Sequence, residues 1–187
     1  TSSYAQAAAM AMGRAMDDVI ISAALGTAFT GETGSTSTAN ANQIVHGSAG
    51  LTIAKLRTAK QTLDLGDVDP SIPRHIIVSP KQITDLLGTT EVTSSDFNTV
   101  KALANGEINS FLGFNFIVSN RLSLSGSTRS CIAYAQDGIA LAVGKDVQAR
   151  IDERADKSYA TQVYYCMSIG ATRMEEAKVV EVQATES

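Results

Sequence analysis

Enzymatic acid–base chemistry needs titratable side chains in a group. The densest group in this sequence is "KDVQARIDERADK" at residues 145–157, where Arg150, Asp152, Glu153, Arg154, Asp156 and Lys157 mix both signs. Two of these carboxylates could divide general acid and base roles only if an apolar pocket raised the pKa of one, and the segment gives no sign of such a pocket. Two other readings remain open. The residues form a solvated strand and turn, or a mixed-sign patch that fixes register against a second subunit.

The other reactive residue types lead to no site. His46 lies in a glycine-rich stretch and His75 at the start of an apolar run, and neither has a second His or Cys at ligand spacing. No G-x-S-x-G elbow occurs. The phosphate-loop look-alike "GETGST" (31–36) lacks both the lysine and the preceding strand that such a loop needs. Cys131 and Cys166 stand far apart in apolar stretches and read as two buried free thiols. No catalytic, cofactor-binding or metal-binding residue is assigned, and no cofactor is expected.

Composition narrows the classes further. A chain of 187 residues holds one domain or two small lobes, and 44% hydrophobic with 18% charged residues is ordinary globular material. A net charge of −4 argues against a surface built to grip phosphate backbone, and the absence of Trp removes stacking platforms for single strands. The Ala- and Met-rich start is interrupted by Arg14, Asp17 and Asp18 and has no basic flank, so it reads as helix, not as a signal or membrane segment. With no initiator Met and a helical pattern from its third or fourth residue, the chain reads as a fragment or a processed product.

The elements follow from periodicity. Met12, Met16, Val19, Ile20 and Ala23 recur at helical spacing and predict one long helix over Tyr4 to Leu25. Residues 30–50, rich in Gly, Ser, Thr and Asn, read as a connector or exposed loop. A second helix from about Leu51 to Leu65 presents Ile53, Leu56, Ala59 and Leu63 on one face and Lys55, Arg57 and Lys60 outward, with Gly66 just past its end. "HIIVS" (75–79) is a short buried strand, and "SPKQ" starts a helix with Ser79 as N-cap, Pro80 at N1 and Gln82 closing a capping box, ending near Gly88. A third helix is expected from Asp96 or Phe97 to Gly106.

"SFLGFNFIVSN" (110–120) reads as a core strand bent at Gly113, with Leu112, Phe114 or Phe116, and Val118 buried on one face. Two short strands, or a strand and a short helix, flank Asp137-Gly138. "YATQVYYCMSIGATR" (159–173) alternates as one long strand, and "VVEVQA" (179–184) is a last strand expected to pair with it. Helix-rich first and strand-rich last, the pattern is α+β.

Taken in order, "AAAMAMGRAMDDVIISAALG", "PRHIIVSPKQITDLL", "LANGEINSFLGFNFIVSNRL" and the ending from "AYAQDGIALAVG" to "KVVEV" resemble the major capsid proteins of tailed bacteriophages, whose shell fold is shared with encapsulins. The resemblance covers nearly the whole chain. It implies an α+β capsid fold with a long spine helix, a long-stranded peripheral sheet and an axial domain of mixed sheet and helices. On that basis residues 1–46 are peripheral, 47–158 axial, and 159–187 strands returning to the peripheral domain.

The function it implies is a structural virion subunit that self-assembles into hexamers and pentamers of an icosahedral head around double-stranded DNA. Its partners are then copies of itself, with scaffolding, portal and decoration proteins, and no membrane. Contact candidates between subunits are Asn120, Arg121 and Leu122, where the chain leaves the strand, and Arg150, Asp152, Glu153, Arg154 and Asp156. Family members usually carry an N-terminal arm and an extended loop before the spine helix, and the sequence holds neither. The alternatives are an encapsulin-like compartment, or a small α+β enzyme or ligand-binding module using residues 31–50.

Overall fold

The computed structural model describes residues 3–88 and 110–186. It opens with the predicted long helix, α1 (Ser3–Leu25), whose 23 residues span about 34 Å. Met12, Met16, Val19, Ile20 and Ala23 are half-buried along one side, and Ile21 and Ala24, which periodicity did not single out, are the fully buried ones. The expected connector is more ordered than its composition suggested. Ala28–Thr30 (β1) and Thr36–Thr38 (β2) form a small antiparallel hairpin, and Gln43–Ile44 (β3) joins the main sheet. Its threonines supply β-branched residues that tolerate extended backbone.

Helix α2 (Ile53–Leu65) buries Ile53, Leu56, Ala59 and Leu63 as expected. Its C-terminus differs from the expectation. Gly66 has φ −82°, and the left-handed residue is Asp67 at φ 54°. Val68 N–H reaches Leu63 O at 3.3 Å and Asp67 N–H reaches Asp64 O at 3.3 Å, the two bonds of a Schellman end. Gly66 answers to a different constraint: a Cβ there would lie 2.8 Å from the Cβ of Ala177.

The main sheet has seven strands. Its centre is β4 (Arg74–Val78), flanked by β6 (Phe114–Val118) in parallel and β8 (Thr128–Ala135) antiparallel. Strand β5 (Ser110–Phe111) pairs with β6, β7 (Leu124–Ser125) with β8, and β11 (Val179–Thr185) lies between β8 and β3. The last strand therefore pairs with β8 and β3 and not, as expected, with the long strand before it. Helix α3 (Pro80–Leu87) follows β4 with Pro80 at its start and Gly88 at its end, as predicted. The expected helix ending at Gly106 lies outside the described residues.

Strand β4 is covered on both faces. Arg74 contacts α2 through Asp64, and Ile76 and Val78 share its face by alternation. Ile77, on the other face, lines with Tyr134 and Ile117 a cleft of about 190 Å³ under Ile20 and Ile21 of α1.

Gly113 is not a bend in a strand. Phe111 pairs with Phe114, so Leu112 (φ 53°) and Gly113 (φ 84°) are the two central residues of a type I′ hairpin turn between β5 and β6. Phe114 is fully buried and Phe116 half-buried, but Val118 is 55% exposed at the rim of the α1 cleft. The expected burial of Val118 is therefore corrected.

After β8 the Asp137-Gly138 turn carries the chain out of the main sheet. Strands β9 (Ile139–Arg154) and β10 (Ala160–Arg173) pair with each other as a separate antiparallel ribbon, and the chain returns at β11. Sixteen residues would reach about 50 Å if fully extended.

Buried and half-buried polar side chains fix these parts. Arg173, with its side chain 1% exposed, donates to Ala24 O (3.0 Å) and Gly26 O at the end of α1 and to Thr38 O (3.0 Å) of the β1–β2 hairpin, and it pairs with Glu176 at 3.2 Å. Lys55, expected to point outward, is buried. Its ammonium shares three protons among four carbonyls, those of His46, Ala49, Gly50 and Gln183, at 2.7–3.0 Å. Desolvation holds its pKa below the ordinary lysine value.

Ser79 and Gln82 do not form the expected capping box. The Ser79 hydroxyl and the Gln82 amide donate to Glu186, and Gln82 Oε1 accepts Leu51 N–H at 2.9 Å. Arg129 completes the clasp at 2.7 Å. The bond from Arg129, with those from Ser79 and Gln82, lowers the Glu186 pKa from 4.5 to about 2.

Two predictions follow from these clasps. Arg173→Met leaves buried carbonyls without a donor and should destabilise the fold by roughly 3 kcal/mol, lowering the thermal midpoint by roughly 6–12 °C; calorimetry of both proteins reads this directly. Because the Glu186 carboxyl is depressed in the folded state, its contribution is complete above pH 4.5 and is lost as pH falls toward 2. Glu186→Gln should lower the midpoint at neutral pH and flatten the acid loss in that window, measured by thermal melts from pH 7 to pH 2.

Candidate assembly surfaces

Cross-strand pairing sets the two faces of the ribbon, since directly opposed residues share a face. Arg173 opposes Ile139, Ala171 opposes Leu141, Ile169 opposes Val143, Tyr165 opposes Ala149, and Val163 opposes Ile151. This face is apolar. The opposite face pairs Tyr164 with Arg150, Gln162 with Asp152, Cys166 with Gln148 and Ser168 with Lys145. Between Cys166 and Ile169 the register shifts twice, so β9 spends sixteen residues where β10 spends fourteen. Such bulges bend a ribbon and increase its twist.

Arg173 bonds the end of α1, so α1 lies on the apolar face. Tyr165, Met167, Ile169 and Ala171 are half-buried there. The cover is incomplete. Every residue from Leu141 to Thr161 is exposed, including Val143 (52%), Ile151 (68%) and Tyr159 (72%). Ser158 and Tyr159 at the tip both have left-handed φ, 54° and 60°.

The sequence-predicted contact residues divide on inspection. Asn120 is exposed in a turn. Arg121 is engaged within the chain: its guanidinium makes a bidentate pair with Asp18 of α1, Nε at 2.7 Å, and holds that carboxyl below its ordinary pKa. Leu122 is 3% exposed and belongs to the core, so as a contact residue it is corrected. Its side chain packs in the hydrophobic core, while that of the adjacent Arg121 reaches α1.

Arg150, Asp152, Glu153, Arg154 and Asp156 are all exposed on the ribbon or its tip. Arg154 and Asp156 pair with each other, and Arg150, Asp152 and Glu153 form no ion pair among the described residues. Arg150 and Asp152 share a face, and Glu153 lies on the other.

The reactive residue types are spent structurally. His46 Nδ1 accepts Ser48 N–H at 3.0 Å, and His75 stacks on Tyr134 with ring centres 5.5 Å apart. Cys131 is buried, which pushes its thiol up to about 12; Cys166 is only half-buried, against expectation, and both thiols are free. A groove of about 540 Å³ lined by Lys60, Asp64, Asp69, Arg74, Leu112 and Asn115 mixes charges of both signs, and Asp64 within it is tied to Arg74 at 2.6 Å. Among the described residues no group of three His, Cys, Asp or Glu is placed to hold a metal, and no described helix is long and apolar enough to cross a membrane.

Lys55, Arg173 and Glu186 are the residues that sequence reading missed. At 100° per residue Lys55 and Arg57 flank the apolar stripe of α2 on either side, so the helix pattern alone does not say which is covered. Glu186 carries no local signal, because its side-chain partners lie more than fifty residues away, and for Arg173 the one local partner is Glu176, while the carbonyls it holds are more than a hundred residues distant.

Little besides its own hairpin bonds protects the outer ribbon. In the isolated chain, backbone amides of residues 145–160 should exchange with deuterium at least about a hundredfold faster than those of β4, β8 and β11. Peptide-level exchange mass spectrometry checks this.

A family model described as phage capsid protein matches residues 1–186. No curated protein matches the sequence. Among solved structures, one from Mycobacterium phage Che8 is 18% identical with a TM-score of 0.75, covering 96% of this chain and 61% of that one. The capsid of cyanophage P-SCSP1u is 17% identical with a TM-score of 0.69, covering 100% and 67%. The SrpI encapsulin complex of Synechococcus elongatus PCC 7942 is 9% identical with a TM-score of 0.62, covering 97% and 64%. The α+β fold is thus that of phage capsids and encapsulins, and the chain spans about three-fifths to two-thirds of the length of these structures.

Proposed function

Because the chain belongs to the phage capsid protein family, we propose that it is a structural subunit of a phage head, whose activity is self-assembly into the hexamers and pentamers of an icosahedral shell around double-stranded DNA. The observation that carries this reading is the ribbon. A strand pair with an incompletely covered apolar face and unneutralised charges of both signs is unsuited to a free monomer and suited to a surface completed by neighbours.

The shell reading makes the subunit a virion protein, put together in the cytoplasm of a host bacterium, with scaffolding, portal and decoration proteins as further partners. A net charge of −4 fits a container, since a strongly basic wall would hold packaged DNA by its phosphates. The sheet pairings favour a division by packing. Helix α1 with the β9–β10 ribbon forms the peripheral part, and α2, α3 and the seven-stranded sheet, including β11, form the axial part. This division is preferred to a boundary at residue 158, which would fall at the ribbon's tip, between its paired strands. The likeness to an encapsulin supports a second reading, a compartment shell around a cargo protein.

Expressed as its full natural chain with its genomic neighbours, the protein should form closed particles visible by electron microscopy. Particles that contain DNA support the head, and particles filled with a protein cargo support the compartment. A protein that stays monomeric overturns both.

A further inference from the structure

Strand β9 pairs with β10 along one edge, and among the described residues no strand pairs with its other edge. An open edge of this length is a template for another strand. Residues 148–154 of that edge read Gln-Ala-Arg-Ile-Asp-Glu-Arg, in which Arg150 and Asp152, of opposite sign, flank Ile151.

We infer that β9 pairs antiparallel with β9 of a second copy across a two-fold axis at Ile151, joining two ribbons into one four-stranded sheet. This rests on the reading of the chain as a shell subunit and names a contact between two copies. Keeping the apolar faces of both ribbons on one side requires the axis to pass through a residue, because opposed residues share a face. On Ile151, each Arg150 lies opposite the other copy's Asp152, giving two symmetric ion pairs on the polar face. The two Ile151 side chains then meet on the apolar face, extending a row of Val163, Ile151, Ile151 and Val163 across the four strands.

The neighbouring registers are disfavoured. Centred on Arg150, two arginines oppose each other; centred on Asp152, two aspartates do, with Arg150 against Arg154 as well. Like charges directly opposed are destabilising. Among the described residues, Arg150 and Asp152 have no ion-pair partner to compete for them. Ile151, at 68% exposed, gains most from being covered. The contact is isologous, so it closes on itself and adds no open-ended growth.

The test uses the full natural chain with Cys166→Ser as background and electron microscopy of particle yield. Arg150→Asp and Asp152→Arg singly place like charges across the axis twice and should each cut particle yield by at least about tenfold. The double exchange Arg150→Asp with Asp152→Arg restores opposite signs in the same register and should return the yield to within about twofold of the parent. Separately, Ile151→Cys should give a disulfide-linked dimer on mild oxidation, located by mass spectrometry to the two introduced thiols. Single variants that assemble like the parent, or a double exchange as defective as the singles, overturn the inference and point to another occupant of the edge. If the parent forms no particles, the shell reading fails by itself, and the cross-link on soluble protein decides the pairing: a dimer through the introduced thiols supports it and a monomer overturns it.

Discussion

The arrangement depends first on one buried guanidinium. Arg173 is the last residue of β10, and its planar fork reaches the closing carbonyls of α1, a carbonyl of the β1–β2 hairpin and the carboxylate of Glu176. A helix C-terminus leaves carbonyls without intrahelical partners and carries partial negative charge, so a cation there satisfies both. Only Arg has enough donors in fixed directions to meet these acceptors together. Much of α1 is alanine, so the side chains it brings to the ribbon are mostly small. Arg173 therefore sets where the helix ends, and the apolar contact fills in around it.

The main sheet uses the same device at its far edge. Strand β11 would expose backbone carbonyls beyond its short pairing with β3, and Lys55 and Glu186 close that region from two sides. The ammonium of Lys55 gathers Gln183 O with three carbonyls of residues 46–50, and the Glu186 carboxylate gathers Ser79, Gln82 and Arg129. Each charge would be expensive alone in the interior and is stabilised there by saturating its hydrogen bonds. Polar clasps thus tie this region together, whereas among the described residues the ribbon has none beyond its base and the Arg154–Asp156 pair at its tip.

How far the sequence could be read follows from where each constraint lies. Helices α1, α2 and α3 were legible because their apolar spacing and their Pro and Gly boundaries are local. The hairpin at Leu112-Gly113 was misread as a bend because one glycine in an apolar run is equally consistent with both, and β5 is only two residues long. Gly66 marks the end of α2 as read, but the left-handed residue is Asp67, and Gly66 is also a point of close approach to Ala177, 111 residues away in sequence. The pairing of β11 with β8 and β3 skips the whole ribbon, and nothing in the alternation of either strand encodes a partner. On the assembly surface, the exposure of Arg150 and Asp152 was legible from their density of charge. The burial of Leu122 and the engagement of Arg121 with Asp18 required the fold.

The ribbon itself explains why its sequence looked ambiguous. A two-stranded hairpin is marginal in water unless a helix or further strands cover its apolar face. Here α1 covers part of the length, and the uncovered part still alternates apolar with polar residues, a pattern with no value to an isolated arm. Val143, Ile151 and Val163 would be free to drift to polar types if solvent were their permanent environment, since each loses nothing there and lowers solubility as it stands. Among the described residues, a face patterned for burial is left open here. The charge cluster that first suggested acid–base chemistry is divided by the ribbon: Arg150 and Asp152 lie on the face opposite Ile151, Glu153 lies beside it on the apolar face, and Arg154 and Asp156 pair with each other at the tip.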